Sequence, residues 1–252
     1  MTSNLLIKQL KDILSTSSRI VFFTGAGVST ESGIPDFRSA SGIYNEKLGY
    51  EVSPEEMVSH SYYVRYPKEF FDFYRKKLIY PAAEPNACHK AIARLEAMGK
   101  CSAVVTQNID GLHQKAGSKN VFELHGSVLR NYCERCHAFY DADYVMQADG
   151  VPMCAKSCCG GRVKPDVVLY EEALNEDVVD GAILAIRNAD TLVIGGTSLV
   201  VYPAAGLIRY FRGNKLVLIN KSATSADERA DLVIRENIGE VMAEVIRLME
   251  EE

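Results

Sequence analysis

The chain of 252 residues predicts an α/β fold, a doubly wound parallel sheet with a second, smaller domain inserted into it. Three observations predict this. Short, continuously apolar runs alternate with amphipathic helical runs, the pattern of strands covered on both faces. Several of those runs stop abruptly at Gly, Ser, Thr or Asn, which a parallel sheet collects along one edge. Two stretches, 39–83 and 130–163, break the alternation. With 47% apolar and 24% charged residues, the chain can bury one sizeable core and a satellite.

The elements follow in order. Leu6, Leu10, Ile13 and Leu14 behind Ser3 predict a capped amphipathic helix, and 19–24 then predicts a strand that stops at Gly25. Further strands are predicted at 103–106, 121–124, 191–194, 215–219 and 232–234, and helices at 87–98, 177–187 and 203–211. Ile238, Val241, Met242, Val245, Ile246 and Met249 recur at helical spacing and close the chain. Residues 39–83 hold Tyr62, Tyr63, Tyr66, Phe70, Phe71, Phe73 and Tyr74 and predict short helices; 130–163 holds most of the cysteines and little apolar pattern. The expected division is therefore 1–38, 84–129 and 164–252 for the main domain, with 39–83 as a helical module and 130–163 as a cysteine-bearing module of the small one.

Formal charge is -5, from 28 basic and 33 acidic residues, and no run of Lys and Arg occurs. Direct contact with nucleic acid is not expected, because a phosphate backbone is gripped by clustered cations. No stretch has the length and apolarity of a membrane span, and MTSNLLIKQLKD places charges inside its apolar opening, so neither membrane nor export is expected and the cytoplasm is the expected location. Of seven cysteines, Cys88 and Cys101 stand alone in apolar surroundings and read as small buried apolar residues. Cys133-x-x-Cys136, followed by Cys154 and then Cys158 or Cys159, has the spacing of a structural zinc ribbon.

The first strand ends in Gly25-Ala26-Gly27-Val28-Ser29-Thr30, similar to the start of a dinucleotide turn whose glycines let a helix start aim N–H groups at a pyrophosphate. Thr30 replaces the third glycine, and no acidic residue ends a second strand about twenty positions on. Gly195-Gly196-Thr197-Ser198 forms a second such turn, and Asn220, at the end of the 215–219 strand, suits a ribose hydroxyl. Glu31 to Arg38 places a rigid Ile34-Pro35, an acid, Asp36, an aromatic ring, Phe37, and a guanidinium, Arg38, in one loop directly after the first turn. Three polar strand ends and this loop predict a nucleotide crevice.

Gly25-Ala26-Gly27-Val28-Ser29, Gly33-Ile34-Pro35-Asp36-Phe37-Arg38, Thr106-Gln107-Asn108-Ile109-Asp110, His125-Gly126, the paired cysteines and Gly196-Thr197-Ser198 occur in the order found in sirtuins, NAD-dependent protein lysine deacylases. The resemblance runs from about Ile20 to Ile238. It implies a Rossmann-like sheet, with the small domain made of a zinc ribbon and a helical module. It implies NAD as a consumed co-substrate, acylated-lysine proteins or peptides as partners, and one structural Zn²⁺. In this chemistry an acyl-lysine oxygen attacks the ribose carbon that carries nicotinamide, giving an imidate, and the acyl group passes to ADP-ribose.

By resemblance His125 is the general base and Asn108 its catalytic companion. Gln107, Asn108 and Asp110 would face the nicotinamide ribose, with Ile109 and Asp110 at the carboxamide. Gly25, Ala26, Gly27, Thr30, Ile34, Asp36, Arg38, Gly196, Thr197, Ser198, Asn220 and Ile238 would complete the cofactor site, and Phe37 would shield the reacting carbon from water. The family carries a cysteine six residues before the Lys/Arg-Pro of its substrate segment, which selects Cys159 beside Cys133, Cys136 and Cys154. Val167 and Val168 lie in that segment, where a peptide would pair by strand addition. The chain departs from the family at Tyr170-Glu171-Glu172, where Phe-Gly-Glu is usual; the extra carboxylate at Glu171 is expected to favour basic peptide flanks. Residues 70–86 lack the Tyr-x-x-Arg pair of desuccinylating members, so acetyl or a longer uncharged acyl group is expected. Three rival readings are a sensor that binds NAD or ADP-ribose without turnover, an ADP-ribosyl transferase or NAD hydrolase, and a zinc-ribbon nucleic-acid adaptor, which would need a basic stripe.

Overall fold

The computed structural model describes residues 3–39, 42–45 and 52–251. Helix α1 (Ser3–Thr16) leads into β1 (Ile20–Thr24), followed by two 3₁₀ turns, Ala26–Val28 and Thr30–Ser32. The side chain of Ser3, the expected cap, lies outside the described residues. Short helices α2 (Pro54–Met57), α3 (His60–Arg65) and α4 (Pro67–Lys77) fill the first insertion. The chain returns through α5 (Ala87–Ala97), β2 (Cys101–Thr106), α6 (Leu112–Lys115) and β3 (Val121–Glu123). The second insertion holds β4 (Gly126–Cys133), β5 (Phe139–Tyr140), α7 (Ala142–Gln147) and β6 (Val163–Val167). Then come α8 (Glu176–Asn188), β7 (Thr191–Gly195), β8 (Lys215–Ile219), β9 (Leu232–Ile234) and α9 (Ile238–Glu250).

Six strands form a parallel sheet in the order β3-β2-β1-β7-β8-β9, doubly wound about β1. Alternate residues feed two cores, as the period of two requires. Ile20, Phe22, Val104, Val193, Val217 and Ile219 pack under α1, α5 and α9, while Val21, Phe23, Val105, Leu192, Ile194 and Leu218 pack under α8 and the segment 204–210. That segment is a 3₁₀ helix, Ala204–Tyr210, where the apolar spacing predicts an ordinary helix. Gly206 in its middle weakens the α form, and the bonds from Gly206 N to Pro203 O (3.0 Å) and Phe211 N to Ile208 O (3.2 Å) are the tighter kind.

The two insertions share a third core. Met57, Tyr63, Phe70, Phe71, Phe73 and Tyr74 from the helices meet Val128, Val145, Val167 and Leu169. The rings pack largely edge to face, Tyr63 on Phe70 at 5.0 Å and Phe70 on Phe71 at 5.2 Å between centroids. The antiparallel sheet β5-β4-β6 pairs Gly126 with Val167 at one end and Cys133 with Val163 at the other. It therefore begins before residue 130 and ends after 163, because its strands grow directly out of β3 and into the segment that precedes α8.

Candidate active site and cysteine centre

The ends of β1, β2, β7 and β8 lie side by side, and the turns that follow them build one edge. The two glycine turns pack backbone to backbone: Gly25 N–H donates to Gly195 O (3.1 Å) and Gly27 N–H to Gly196 O (2.8 Å). A side chain is excluded there. A Cβ on Gly27 would stand 2.9 Å from Gly196 Cα, and Gly196, at φ +59°, would drive one into the backbone of Val28. The first turn is a pair of 3₁₀ turns rather than the predicted helix start. Thr30 Oγ1 donates to Gly27 O (3.0 Å), in the place where the third glycine of a dinucleotide turn would let a helix begin.

The residues after β2 join this edge. Gln107 Nε2 donates to Thr197 Oγ1 (3.0 Å), tying the end of β2 to the turn after β7. Asn108 is buried, and its Nδ2 donates to Ser29 Oγ (3.0 Å), which donates in turn to Asp110 Oδ2 (2.6 Å). Asp110 Oδ1 accepts from Leu112 N–H (2.9 Å). Asn108 and Asp110 are thus oriented before any ligand arrives, one through an amide and one through a carboxylate. Ile109 packs toward the third core, and its carbonyl accepts from Val128 N–H (2.9 Å).

His125 stands between β3 and β4, half-buried. Its Nδ1 lies 3.0 Å from Gln107 O. A carbonyl only accepts, so Nδ1 carries the hydrogen and Nε2 keeps its lone pair. Burial pushes the imidazole pKa below its usual value, while the Gln107 bond works the other way. The ring is therefore neutral at physiological pH. Its carbonyl accepts from Val168 N–H (3.0 Å), which brings Val167 and Val168 beside it.

Asp36 Oδ1 accepts from Arg38 N–H (3.0 Å) and Ser39 N–H (2.7 Å), making the loop a tight turn. Phe37 meets Tyr44 at 5.4 Å, and the Arg38 guanidinium lies 5.3 Å from the centre of the same ring. Arg38 also reaches Tyr170 Oη (3.3 Å), which is 3.3 Å from Tyr44 Oη, so the loop is tethered to the segment after β6. Ile34 N–H donates to Ser29 O (3.3 Å). Asn220 follows β8, with Nδ2 bonded to Ser222 O (2.8 Å), and Ile238 packs so close to Gly195 that a Cβ there would strike it. Ala26 and Ser198 lie within the two turns.

Four residues to which the sequence assigns no role at the site also contribute. Asn86 caps α5 and also donates to Val28 O (2.7 Å) and Ser32 Oγ (2.9 Å), bracing the first turn from below. Glu31 accepts from Gly239 N–H (2.8 Å), a carboxylate at the N-terminus of α9. Tyr44 and Tyr170 hold the loop. Pro85-Asn86 ahead of a helical run is itself a capping signal that could have found Asn86; nothing local marks Glu31, whose partner is distant in sequence.

Glu171 behaves differently from the expectation. It adopts φ +76°, a conformation suited to the glycine usual there, and its carboxylate accepts from Ser61 N–H (2.8 Å). That charge is bound to α3, so the argument for basic peptide flanks loses its free carboxylate. Glu172 accepts from Leu169 N–H (2.9 Å), pairs with Lys164 (3.1 Å) and lies 2.9 Å from His60 Nδ1, locking the same segment to the helical module.

The sulfurs of Cys133, Cys136, Cys154 and Cys159 all lie within 4.8 Å of one another, with Cys133–Cys159 and Cys136–Cys154 at 3.6 Å. A tetrahedral Zn–S bond of ~2.3 Å separates its sulfurs by about 3.8 Å, so this set fits the ion. Tyr140 Oη donates to Cys154 Sγ (3.1 Å), favouring the thiolate. Cys159 lies within the group, whereas its neighbour Cys158 is exposed and outside it; Cys88 and Cys101 are buried, as expected. Among the described residues no helix is long and apolar enough to cross a membrane.

The Sir2 family profile matches residues 25–203. An NAD-dependent protein deacetylase of Clostridium perfringens (strain 13 / Type A) is 67% identical over 241 residues, 95% of this chain and 98% of that protein. A solved complex of a Sir2 homologue with NAD is 35% identical, covers 97% of this chain and 94% of its own, and superposes with a TM-score of 0.85. A complex of Sir2 with a p53 peptide and NAD⁺ is 36% identical, covers 98% and 99%, and gives 0.84. Profile, sequence and fold converge on one conclusion: the chain belongs to the Sir2 family.

Proposed function

We propose that the chain is an NAD-dependent protein lysine deacetylase that passes the acyl group to ADP-ribose and releases nicotinamide. The observation that carries this is His125, whose Nδ1–H is committed to Gln107 O while Nε2 remains a free base at the edge where the strand tips meet. The name of the relative from Clostridium perfringens and the NAD and p53-peptide complexes of related Sir2 proteins support NAD and an acylated protein or peptide as the substrates.

NAD supplies a ribose carbon whose bond to nicotinamide gives way to the acyl oxygen. The chain's own residues do the rest. Gly25, Gly27 and Gly196 admit the pyrophosphate close to backbone N–H groups. Asn108 and Asp110, preset through Ser29, take the ribose hydroxyls and the carboxamide, and Asn220 takes the second ribose. His125 Nε2 accepts a proton from the sugar, an assistance typically worth ~10² to 10⁴ in rate. Phe37 covers the reacting carbon and limits loss to water. The peptide lies along Val167 and Val168, beside His125. Four thiolates hold one structural Zn²⁺ that leaves no open position for catalysis. None of the seven cysteines is in a disulfide, which suits a reducing, cytoplasmic setting.

Mass spectrometry of an acetyl-lysine peptide incubated with NAD and the protein tests the reading. Equal amounts of nicotinamide, deacetylated peptide and O-acetyl-ADP-ribose are expected. Nicotinamide release that is independent of peptide would contradict it in favour of a hydrolase, and binding without turnover would favour a sensor.

A further inference from the structure

Beneath the strand tips runs a buried polar chain that none of these roles uses. Thr24 and Thr106 are register partners at the ends of β1 and β2, and both are buried. Thr24 Oγ1 donates to Thr106 Oγ1 (2.9 Å), which also accepts from Asn108 N–H (3.0 Å). With its proton spent on Thr106, Thr24 Oγ1 can only accept from His113 Nε2, 3.1 Å away. His113 therefore carries its hydrogen on Nε2 and leaves Nδ1 bare. His89 Nδ1 accepts from Asn86 N–H (3.3 Å) at the start of α5, so its hydrogen is also on Nε2.

Two atoms are left over, the His89 Nε2–H donor and the His113 Nδ1 acceptor. Both are buried without a hydrogen-bond partner among the described residues. They are of opposite type, and the two rings meet edge to face with centroids 4.8 Å apart. Each bears a desolvation cost, so the pair of rings is held here by the packing and by the bonds that their other nitrogens make.

We propose that His113 is a positioning residue for deacylation: with the His89 ring packed edge to face against it, His113 Nε2–H donates to Thr24, and Thr24 and Thr106 fix the backbone of Asn108 under the ribose. The proposal rests on the deacetylase reading of the site. Its donors converge on Thr106 Oγ1, which accepts from Thr24 on one side and from Asn108 N–H on the other, and it needs both imidazoles neutral. Burial supports this, pushing His89 down to about 4, against the pull of Asp110, and His113 down to about 3.

The test uses the full chain with ¹⁵N-labelled histidine. Long-range ¹H–¹⁵N spectra are expected to show His89 and His113 as neutral Nε2–H tautomers from pH 6 to 8; an Nδ1–H tautomer or an imidazolium at either ring overturns the proposal. His113→Leu and Thr24→Val break the chain at successive links, and each is expected to lower kcat about tenfold with the peptide KM within about twofold. The double variant is expected to fall no further than either single one, since one chain is cut twice. His113→Gln, whose amide nitrogen takes the place of Nε2, should recover about half of the loss. Equal losses for Leu and Gln, or full activity in Thr24→Val, overturn the proposal. Because the tautomers are read on unmodified protein without turnover, an inactive protein would contradict the deacetylase reading separately.

Discussion

The two sheets of this chain are held by different physics. Every residue of β1 and β7 is buried, and the strands of the parallel sheet divide their side chains between two apolar cores. The antiparallel sheet is covered on one face only. Tyr132 is 37% exposed and Phe139 57%, and the far end of the sheet closes on four sulfurs instead of an apolar cluster. The first sheet is specified by apolar burial on both faces, the second by one apolar face and by thiol geometry at its far end. That difference locates the vulnerability of the molecule: the parallel sheet presents the strand tips, and the ribbon holds Val167 and Val168 against His125.

Metal removal should separate the two most sharply. On treatment with a strong chelator, amide exchange in β4, β5 and β6 is expected to rise to nearly unprotected rates and deacetylation to vanish, while β1, β2, β7 and β8 stay protected. Ribbon amides that remain protected without metal would break the comparison. Single serine variants sharpen it: Cys159→Ser is expected to lose the bound zinc, measured by metal analysis, and Cys158→Ser to keep one ion per chain. In the parallel sheet the weak point is backbone instead of sulfur. Gly196→Ala, at φ +59° against Val28, is expected to cost about 1 to 3 kcal/mol in denaturant unfolding and to weaken NAD binding. A neutral result would mean that the two glycine turns do not need their close approach.

The smallest effect is in pH. His125 acts as a base only when neutral, and burial lowers its pKa. Activity should therefore persist on acidification past the ordinary histidine value of ~6.5 and fall only below it. An acid limb in kcat/KM above that value would show a ring more exposed to solvent or charge than this geometry allows.

How much of this was legible in the sequence follows the same division. Strands β1, β7, β8 and β9 are visible because continuous apolar runs have few other fates, and the glycines of both turns announce themselves. The ribbon strands are not visible: β4 reads Gly-Ser-Val-Leu-Arg-Asn-Tyr-Cys, with its partner β6 some thirty residues away. The cysteine spacing identified the centre but left two neighbours as rivals, and only the sulfur positions separate Cys159 from Cys158. Motif order pointed to His125, Asn108 and Asp110. It could not show that Ser29 joins the last two, or that Thr24, Thr106, His89 and His113 lie under them, because those contacts link residues up to 89 positions apart. Pairing across a sheet is a property of register, and single-chain periodicity carries no register.

The central claim is that the strand tips seat NAD with its sugar beside a neutral His125. Single-turnover formation of O-acetyl-ADP-ribose by His125→Ala, with NAD binding measured in parallel, tests it most directly. NAD binding close to that of the unmodified protein with product formation slowed by about 10² to 10⁴ is the predicted result; product formed at the unmodified rate would contradict it.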